Sequence, residues 1–456
     1  MSERFDAVVL GAGPAGEVAI GILADAGLRV ALVERELVGG ECSYWACIPS
    51  KTLLRPPEAR SESERAAGVS TPALDWPQVA AYRDWMIRNL DDSGAVSGYE
   101  ARGVSVFKSS GRLAGANRVE VEGQVLETEQ VIIATGSEPQ IPPIDGLAEA
   151  GYWTNREATT LKEIPESAVF IGGGAVGVEL GQMLARFGSH VSIIEGADRL
   201  LNREEANVGR LIGEQLEADG ITLALGRQAT RVRVEGGERV VELDDGSELR
   251  GEVLVVAVGR RPRVADIGLE TVGVTVGKGG VPIDERCRVA DGVWAIGDAT
   301  GVSLFTHVGK YQARVVTANI LGEDAVADYR AVPRVVFSDP EVAAVGMTAE
   351  AARAAGVDVT EVTLDLVDEI ARPYTYEEHP RGWFGLVVDR QRDVLVGAWA
   401  VAPLAGEWIH QAVLAIRAEI PVAVLKDTIA QFPTFSEAYV SALRKLPKAS
   451  DKERGQ

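Results

Sequence analysis

Two copies of a strand, glycine turn, helix and strand, followed after about residue 330 by a stretch in which helices and strands mix without another glycine loop, predict an α/β chain: two Rossmann-like units with a C-terminal α+β segment. In the first copy, FDAVVL at residues 5–10 reads as a buried parallel strand, AGEVAIGILADAG as a helix ending at Gly27, and RVALVE as the next strand. The run SAVFIGGGAVGVELGQMLARFGSHVSIIE, residues 167–195, repeats that plan. Residues 55–100 are rich in Pro, Ser, Glu and Arg before turning helical around Trp76 and Trp85, and read as an excursion on the first unit. From about 230 to 256, apolar and polar residues alternate around Gly236-Gly237 and Asp245-Gly246, the pattern of antiparallel hairpins. YRAVPRVVF, near residue 330, marks a boundary, and KASDKERGQ at the end reads as a solvated tail.

The 456 residues suffice for about two to four domains with cores of their own. A net charge of −21 with scattered Arg and Lys argues against a nucleic-acid face, and an anionic membrane would repel it. Three cysteines do not make a stapled secreted framework, so a close pair reads as redox-active or metal-binding. No signal peptide precedes the first strand, no apolar run reaches membrane-spanning length, and Asp25 interrupts the first helix. The expectation is a soluble cytoplasmic enzyme.

Both glycine loops have the residues a dinucleotide needs. Gly11, Gly13 and Gly16 let the backbone turn tightly and approach a pyrophosphate at a helix N-terminus, and Glu34 closes the second strand where ribose hydroxyls would lie. Gly172, Gly174, Gly177 and Glu195 take the same roles in the second unit. Two such sites imply two dinucleotides, most economically one flavin and one nicotinamide. A carboxylate at Glu195 accepts from a bare 2′-hydroxyl and repels a 2′-phosphate, which favours NADH; Arg199 keeps NADPH open.

About thirty residues after the first loop comes GGECSYWACIPSK, with Cys42 and Cys47. On a regular helix, residues five apart have Cα atoms roughly 8 to 9 Å from each other, whereas a disulfide wants about 4.4 to 6.8 Å. A bonded pair would have to leave helical geometry at the start of the segment, where Gly39, Gly40 and Pro49 allow it. The spacing permits a disulfide without requiring one. A metal site would need further ligands nearby, but the four histidines are scattered and Cys287 reads as a buried core thiol, so no metal is expected.

With these residues in order, the chain resembles the FAD-dependent pyridine nucleotide disulfide oxidoreductases, a family that includes dihydrolipoyl dehydrogenase, glutathione reductase and mercuric reductase. VIIATGSEP at 131–139 is similar to the segment that closes the flavin domain, and VWAIGDATG at 293–301 to the second flavin motif. The resemblance implies a flavin domain at 1–147 that resumes at 263–330, a nicotinamide domain at 148–262, and a dimerisation domain at 331–456. It implies that Cys42 is the thiol that meets substrate, that Cys47 lies against the flavin, and that Lys51 beside the flavin pairs with Glu179. It adds Gly40, Lys51, Gly136 and Asp298, the last on the ribityl chain, to the FAD site, and Gly259 to the nicotinamide site. Glu437 falls where the family carries a catalytic glutamate.

The family's small-disulfide reductases carry His-Pro-Thr and then that glutamate, supplied across a dimer interface, and the His shuttles protons. Here IAQFPTFSEAY places Phe432 at the His, Ala430 where a second His often stands, and leaves Glu437 without its partner. A positioned proton shuttle is worth about 10² to 10⁴ in rate. Its loss should hurt disulfide exchange more than reduction of an acceptor that takes protons later from water. Mercuric reductases of the superfamily also lack the His but add a C-terminal cysteine pair, and no cysteine follows Cys287 here. The expected reaction therefore runs from NAD(P)H through FAD and the Cys42–Cys47 disulfide to a small-molecule acceptor, quinone-like or otherwise aromatic. Tyr44 and Trp45 are candidates to stack that acceptor, or else core filling. One alternative is a lipoyl-like or other small disulfide substrate, with Tyr439 or water supplying protons. Another is a redox-sensing flavoprotein with incidental turnover.

Overall fold

A computed structural model of the chain describes residues 3–446, which leaves the KASDKERGQ tail outside the described residues. The first strand, β1 (Glu3–Leu10), is buried over its last four residues, and β2 (Val30–Val33) over all four, as strands covered on both faces must be. They pair in parallel at the centre of a sheet whose order runs Arg288–Ala290, Val293–Ala295, Gln124–Ile133, β1, β2, Ser105–Phe107. Between them α1 (Pro14–Asp25) stops two residues short of the expected Gly27, because Ala26 caps it and Gly27, at φ 84°, turns the chain away. The strand Val293–Ala295 comes back from late in the chain to pair with Gln124–Ile133.

A second parallel sheet has the order Thr222–Leu225, His190–Glu195, Ser167–Ile171, Val253–Val256. Its last strand corrects the hairpin expectation. Residues 229–251 do form a three-stranded antiparallel meander, but Val253–Val256, buried on all four residues, belongs to the parallel sheet. Five antiparallel strands between Pro333 and Ala402 make the C-terminal sheet, on which the helix Glu437–Lys445 buries Ala438, Tyr439, Ala442 and Leu443. Among the described residues no helix is long and apolar enough to cross a membrane.

Residues 40–65 form two helices, α2 (Gly40–Tyr44) and α3 (Cys47–Arg65). Instead of the irregular stretch that the prolines suggest from residue 55, α3 continues through Pro56 and Pro57, held by the burial of Leu53, Leu54 and Pro57 rather than by intrinsic propensity. The helix Trp76–Met86, named α4, follows as expected and is anchored by the fully buried Arg83, which donates to Leu161 O at 3.0 Å.

One buried cluster joins all three regions. Asp339, before the first long strand of the C-terminal sheet, accepts from both terminal guanidinium nitrogens of Arg65, on α3, at 3.0 Å. It also accepts Arg186, from the helix Ala175–Arg186, at 2.9 Å, and Arg381 at 2.8 Å. Its backbone exchanges two hydrogen bonds with the Gln182 amide, at 2.8 and 3.0 Å. Burial works against the charged form, but Arg186, Arg381 and Arg65 outweigh it and hold the carboxyl below its usual range. Such a group stabilises the fold fully above its unfolded pKa of about 3.9 and loses that contribution as pH falls through the folded value. Asp339→Asn should therefore cost about 3 to 5 kcal/mol near neutral pH. In urea unfolding curves the gap to wild type should narrow as pH drops below about 4.

Candidate active site

The C-terminal ends of the first parallel sheet and the start of the helix Ala175–Arg186 open on one cavity of ≈ 1510 Å³, larger than the roughly 300 to 1,000 Å³ of a single small-ligand site. Gly11, Gly13, Glu34 and Asp298 line one part of it; Cys42, Cys47, Lys51 and Glu179 line another. Gly172, Gly174, Gly177, Glu195 and Glu437 lie outside those walls, although Ala175 and Val176, which open the second helix, are within them.

The two glycine loops repeat the same three constraints. A Cβ on Gly11 would fall 2.3 Å from Ala134 O, and one on Gly16 2.0 Å from Gly11 O, so both glycines are demanded by the protein's own packing. A Cβ on Gly172 would fall 2.4 Å from Ala257 O, and one on Gly177 2.0 Å from Gly172 O. The middle glycines, Gly13 and Gly174, have nothing within 4 Å, and packing gives no reason for them to be glycine. Close approach of a diphosphate does. Gly40 presses from the far side, where a Cβ would come 2.7 Å from Gly13 Cα. Gly136 and Gly259 take positive φ at the junctions with the crossing strands Ser137–Pro139 and Arg260–Pro262.

The strand-end carboxylates are matched too. Glu34 accepts Ala12 N at 2.8 Å and Glu36 N at 2.7 Å; Glu195 accepts Gly173 N at 2.7 Å and Ala197 N at 2.8 Å. Each oxygen keeps a lone pair for a ribose hydroxyl. Asp298 accepts Ser137 Oγ at 2.6 Å, and its burial pushes the carboxyl up, against the pull of Ser137 and Arg260. The first loop, Glu34, Gly40 and Asp298 thus fit FAD, and the second loop with Glu195 fits a nicotinamide dinucleotide.

The chain leaves helical geometry at the start of the segment, where Gly39 and Gly40 take φ of 122° and 61°, and again between the cysteines, at Trp45 and Ala46. The break is held from outside: Asn155 Nδ2 donates to Trp45 O at 2.8 Å, Thr159 Oγ1 at 3.1 Å, and the Arg156 guanidinium covers the Trp45 ring at 4.1 Å. These tertiary partners have no local signature in the sequence around the cysteines. The aromatic pair is correspondingly committed to packing. Tyr44 is 1% exposed and donates to Val38 O at 3.1 Å, and Trp45 tilts against it at 5.8 Å.

Both thiols are free. Cys47 is the first residue of α3, and its thiol is lowered chiefly by the neighbouring Cys42 thiol, then by Thr306 and Lys51, against the cost of burial. Cys42 is raised by its thiolate neighbour and by burial. Lys51 Nζ lies 2.7 Å from Glu179 Oε2 and 4.7 Å from the centre of the Phe337 ring; Glu179 Oε1 accepts Phe337 N at 2.9 Å. Thr306, opening the helix Thr306–Ile320, was not apparent from the sequence, yet its hydroxyl is 3.2 Å from Cys42 Sγ and 3.5 Å from Cys47 Sγ. It stands eight residues after Asp298, with no local pattern to distinguish it.

Toward the C-terminus, Phe432 is 74% exposed, and Glu437 accepts Thr434 N at 3.1 Å. Tyr439 does not suit the role of proton donor. It is 2% exposed, its ring lies 4.7 Å from that of Phe384, its hydroxyl donates to Trp408 O at 3.2 Å, and burial pushes the phenol up.

The loops distinguish glycines kept for the fold from glycines kept for a ligand. Gly13→Ala should fold with a melting temperature close to wild type and be purified without flavin, while Gly16→Ala should lose folded protein; flavin absorbance and thermal unfolding check both. Gly174→Ala should retain flavin and raise the KM for the nicotinamide.

Comparison with known proteins covers nearly the whole chain. The sequence model described as "Pyridine nucleotide-disulphide oxidoreductase" matches residues 5–318, and that described as its "dimerisation domain" matches residues 332–443. A dihydrolipoyl dehydrogenase of Thermus scotoductus is 35% identical, covering 98% of both chains. A mercuric reductase of Staphylococcus aureus is 31% identical over 95% of this chain and 81% of its own. Among solved structures, the Cu(II) complex of the HOCl-induced flavoprotein disulfide reductase RclA from Escherichia coli superposes with a TM-score of 0.84 at 29% identity, covering 96% of this chain and 99% of that one. LpdA (Rv3303c) from Mycobacterium tuberculosis superposes with a TM-score of 0.86 at 27% identity, over 97% and 99%. The chain thus belongs to the pyridine nucleotide-disulphide oxidoreductase family, the FAD-dependent NAD(P)H oxidoreductases.

Proposed function

We propose that the protein is a homodimeric, cytoplasmic oxidoreductase that passes electrons from NADH through FAD and the Cys42–Cys47 pair to a quinone-like or other small aromatic acceptor. On this reading residues 1–147 and 263–330 hold FAD, 148–262 hold the nicotinamide dinucleotide, and 331–456 form the interface. When bound, FAD supplies the two-electron relay between nicotinamide and cysteines. The chain's own residues do the rest. Gly13 and Gly174 admit the diphosphates, Glu34 and Glu195 accept from ribose hydroxyls, and Lys51, held by Glu179, keeps a positive charge near the Cys47 thiolate. The carboxylate of Glu195 supports NADH. Ile429 and Phe432 on the C-terminal domain, 94% and 74% exposed, support burial of that face by a second copy.

The observation that carries the choice of acceptor is Phe432. An aromatic hydrocarbon cannot take or give the proton that a leaving thiolate needs, and the buried Tyr439 cannot replace it. The second reading, a small disulfide substrate, is supported by the 35% identity to a dihydrolipoyl dehydrogenase. Steady-state kcat/KM with NADH and NADPH against a benzoquinone, lipoamide, glutathione disulfide and Cu(II) decides between them. Cu(II) is included because a solved neighbour is a Cu(II) complex. The quinone should be preferred and NADH should be the better donor; a higher kcat/KM for lipoamide would overturn the assignment, and slow turnover of every acceptor would point to a sensor. Phe432→His should raise disulfide reduction by about tenfold to a hundredfold and leave quinone reduction unchanged.

A further inference from the structure

The Thr306 hydroxyl has contacts that packing does not explain. It donates to Cys42 Sγ at 3.2 Å and lies 3.5 Å from Cys47 Sγ, where either atom can be the donor, and among the described residues it makes no other hydrogen bond. Although it opens the helix Thr306–Ile320, it does not cap it, so the hydroxyl is not spent on the helix. A hydroxyl has one proton to donate and lone pairs to accept with, and can serve one sulfur as donor and the other as acceptor at once.

The two sulfurs are unequal. Cys47 begins the nineteen-residue α3, with Lys51 one turn along; Cys42 lies inside the five-residue α2. Lys51 and Lys310 are the cations facing the pair. An anion is therefore better placed on Cys47 than on Cys42. Attack on an acceptor nevertheless needs Cys42 as thiolate, and the chain lacks the family's usual base at position 432. The neighbouring His307 is bonded to Pro333 O at 2.9 Å and stacked on Phe305 at 5.2 Å.

We propose that Thr306 is a catalytic residue, a one-proton bridge through which the Cys47 thiolate acts as the base for Cys42. With the hydroxyl turned to Cys47, the Cys42 S–H proton passes to Thr306 Oγ1 as the Thr306 O–H proton passes to the Cys47 thiolate; the arrangement that results, with Thr306 O–H donating to Cys42 Sγ, is the one the structure shows. One S–H and one O–H bond break, one of each forms, no electrons move, and Cys42 is left as the nucleophile. Run in reverse, the same step returns the anion to Cys47. The inference rests on Cys42 and Cys47 being the redox pair, and not on the identity of the acceptor.

The test uses the reduced full-length protein and iodoacetamide, with alkylation of each cysteine followed by peptide mass spectrometry between about pH 5 and 9, the range in which perturbed thiols titrate. Thr306→Val keeps the shape and removes the bridge. It should slow Cys42 alkylation below about pH 8 by tenfold or more, whereas Thr306→Ser should retain the wild-type profile. A Thr306→Val profile superimposed on wild type overturns the proposal, because direct transfer between sulfurs would then suffice. A Thr306→Ser protein that behaves like Thr306→Val overturns it as well. If circular dichroism shows that the valine variant does not fold, Thr306→Ala against Thr306→Ser makes the same comparison. Iodoacetamide stands in for any acceptor, so a failed quinone assignment would leave this result untouched.

Discussion

The architecture depends on two helices being tied together twice. α3 carries Cys47 and Lys51 at its start and Arg65 at its end; the helix Ala175–Arg186 carries Glu179 near its start and Arg186 at its end. At one tie Lys51 and Glu179 meet, with Phe337 donating its N–H to the carboxylate and offering its ring to the ammonium. At the other, Arg65 and Arg186 meet on Asp339, two residues beyond Phe337. A single short segment of the C-terminal domain thus clamps the two glycine-loop units at both places. Buried carboxylates such as Glu179 and Asp339 are costly unless paired, so each is held to its cations.

The same physical solution is built twice, in the two glycine loops. In each loop, two glycines are required because the backbone folds back on itself, and the third because something outside the protein must approach. In each, the carboxylate at the following strand end is oriented by two backbone N–H groups before any ribose arrives. Preorganised acceptors of this kind reduce the cost of ordering when the ligand binds. Glu34, Lys51 and Glu179 line the large cavity, and Glu195 lies outside its walls.

At the cysteines, a local break in the helix does electrostatic as well as geometric duty. Ending α2 at Tyr44 and starting α3 at Cys47 brings two residues that a continuous helix would separate onto a common hydroxyl, and it places one of them at a helix N-terminus. The asymmetry between the thiols follows from that placement together with Lys51.

Strand, turn and helix periodicities determined by themselves the two nucleotide units and the C-terminal α+β segment, because burial of parallel strands and the glycine demands of a tight turn are local properties. The pairs Cys42–Cys47 and Lys51–Glu179, and the substitution at Phe432, were legible through motif order. Other features were decided only when distant segments met. The break at Trp45-Ala46 is imposed by Asn155, Arg156 and Thr159. Val253–Val256 joins a parallel sheet although it follows a hairpin pattern, because Ser167–Ile171 presents a free edge to it. Tyr439 is withdrawn into a core built by Phe384 and Trp408. Thr306 gains its meaning only from two sulfurs more than 250 residues away in sequence. Hydrogen bonds and buried charges depend on separation in space, and chain order carries no record of it where the partners share no local pattern.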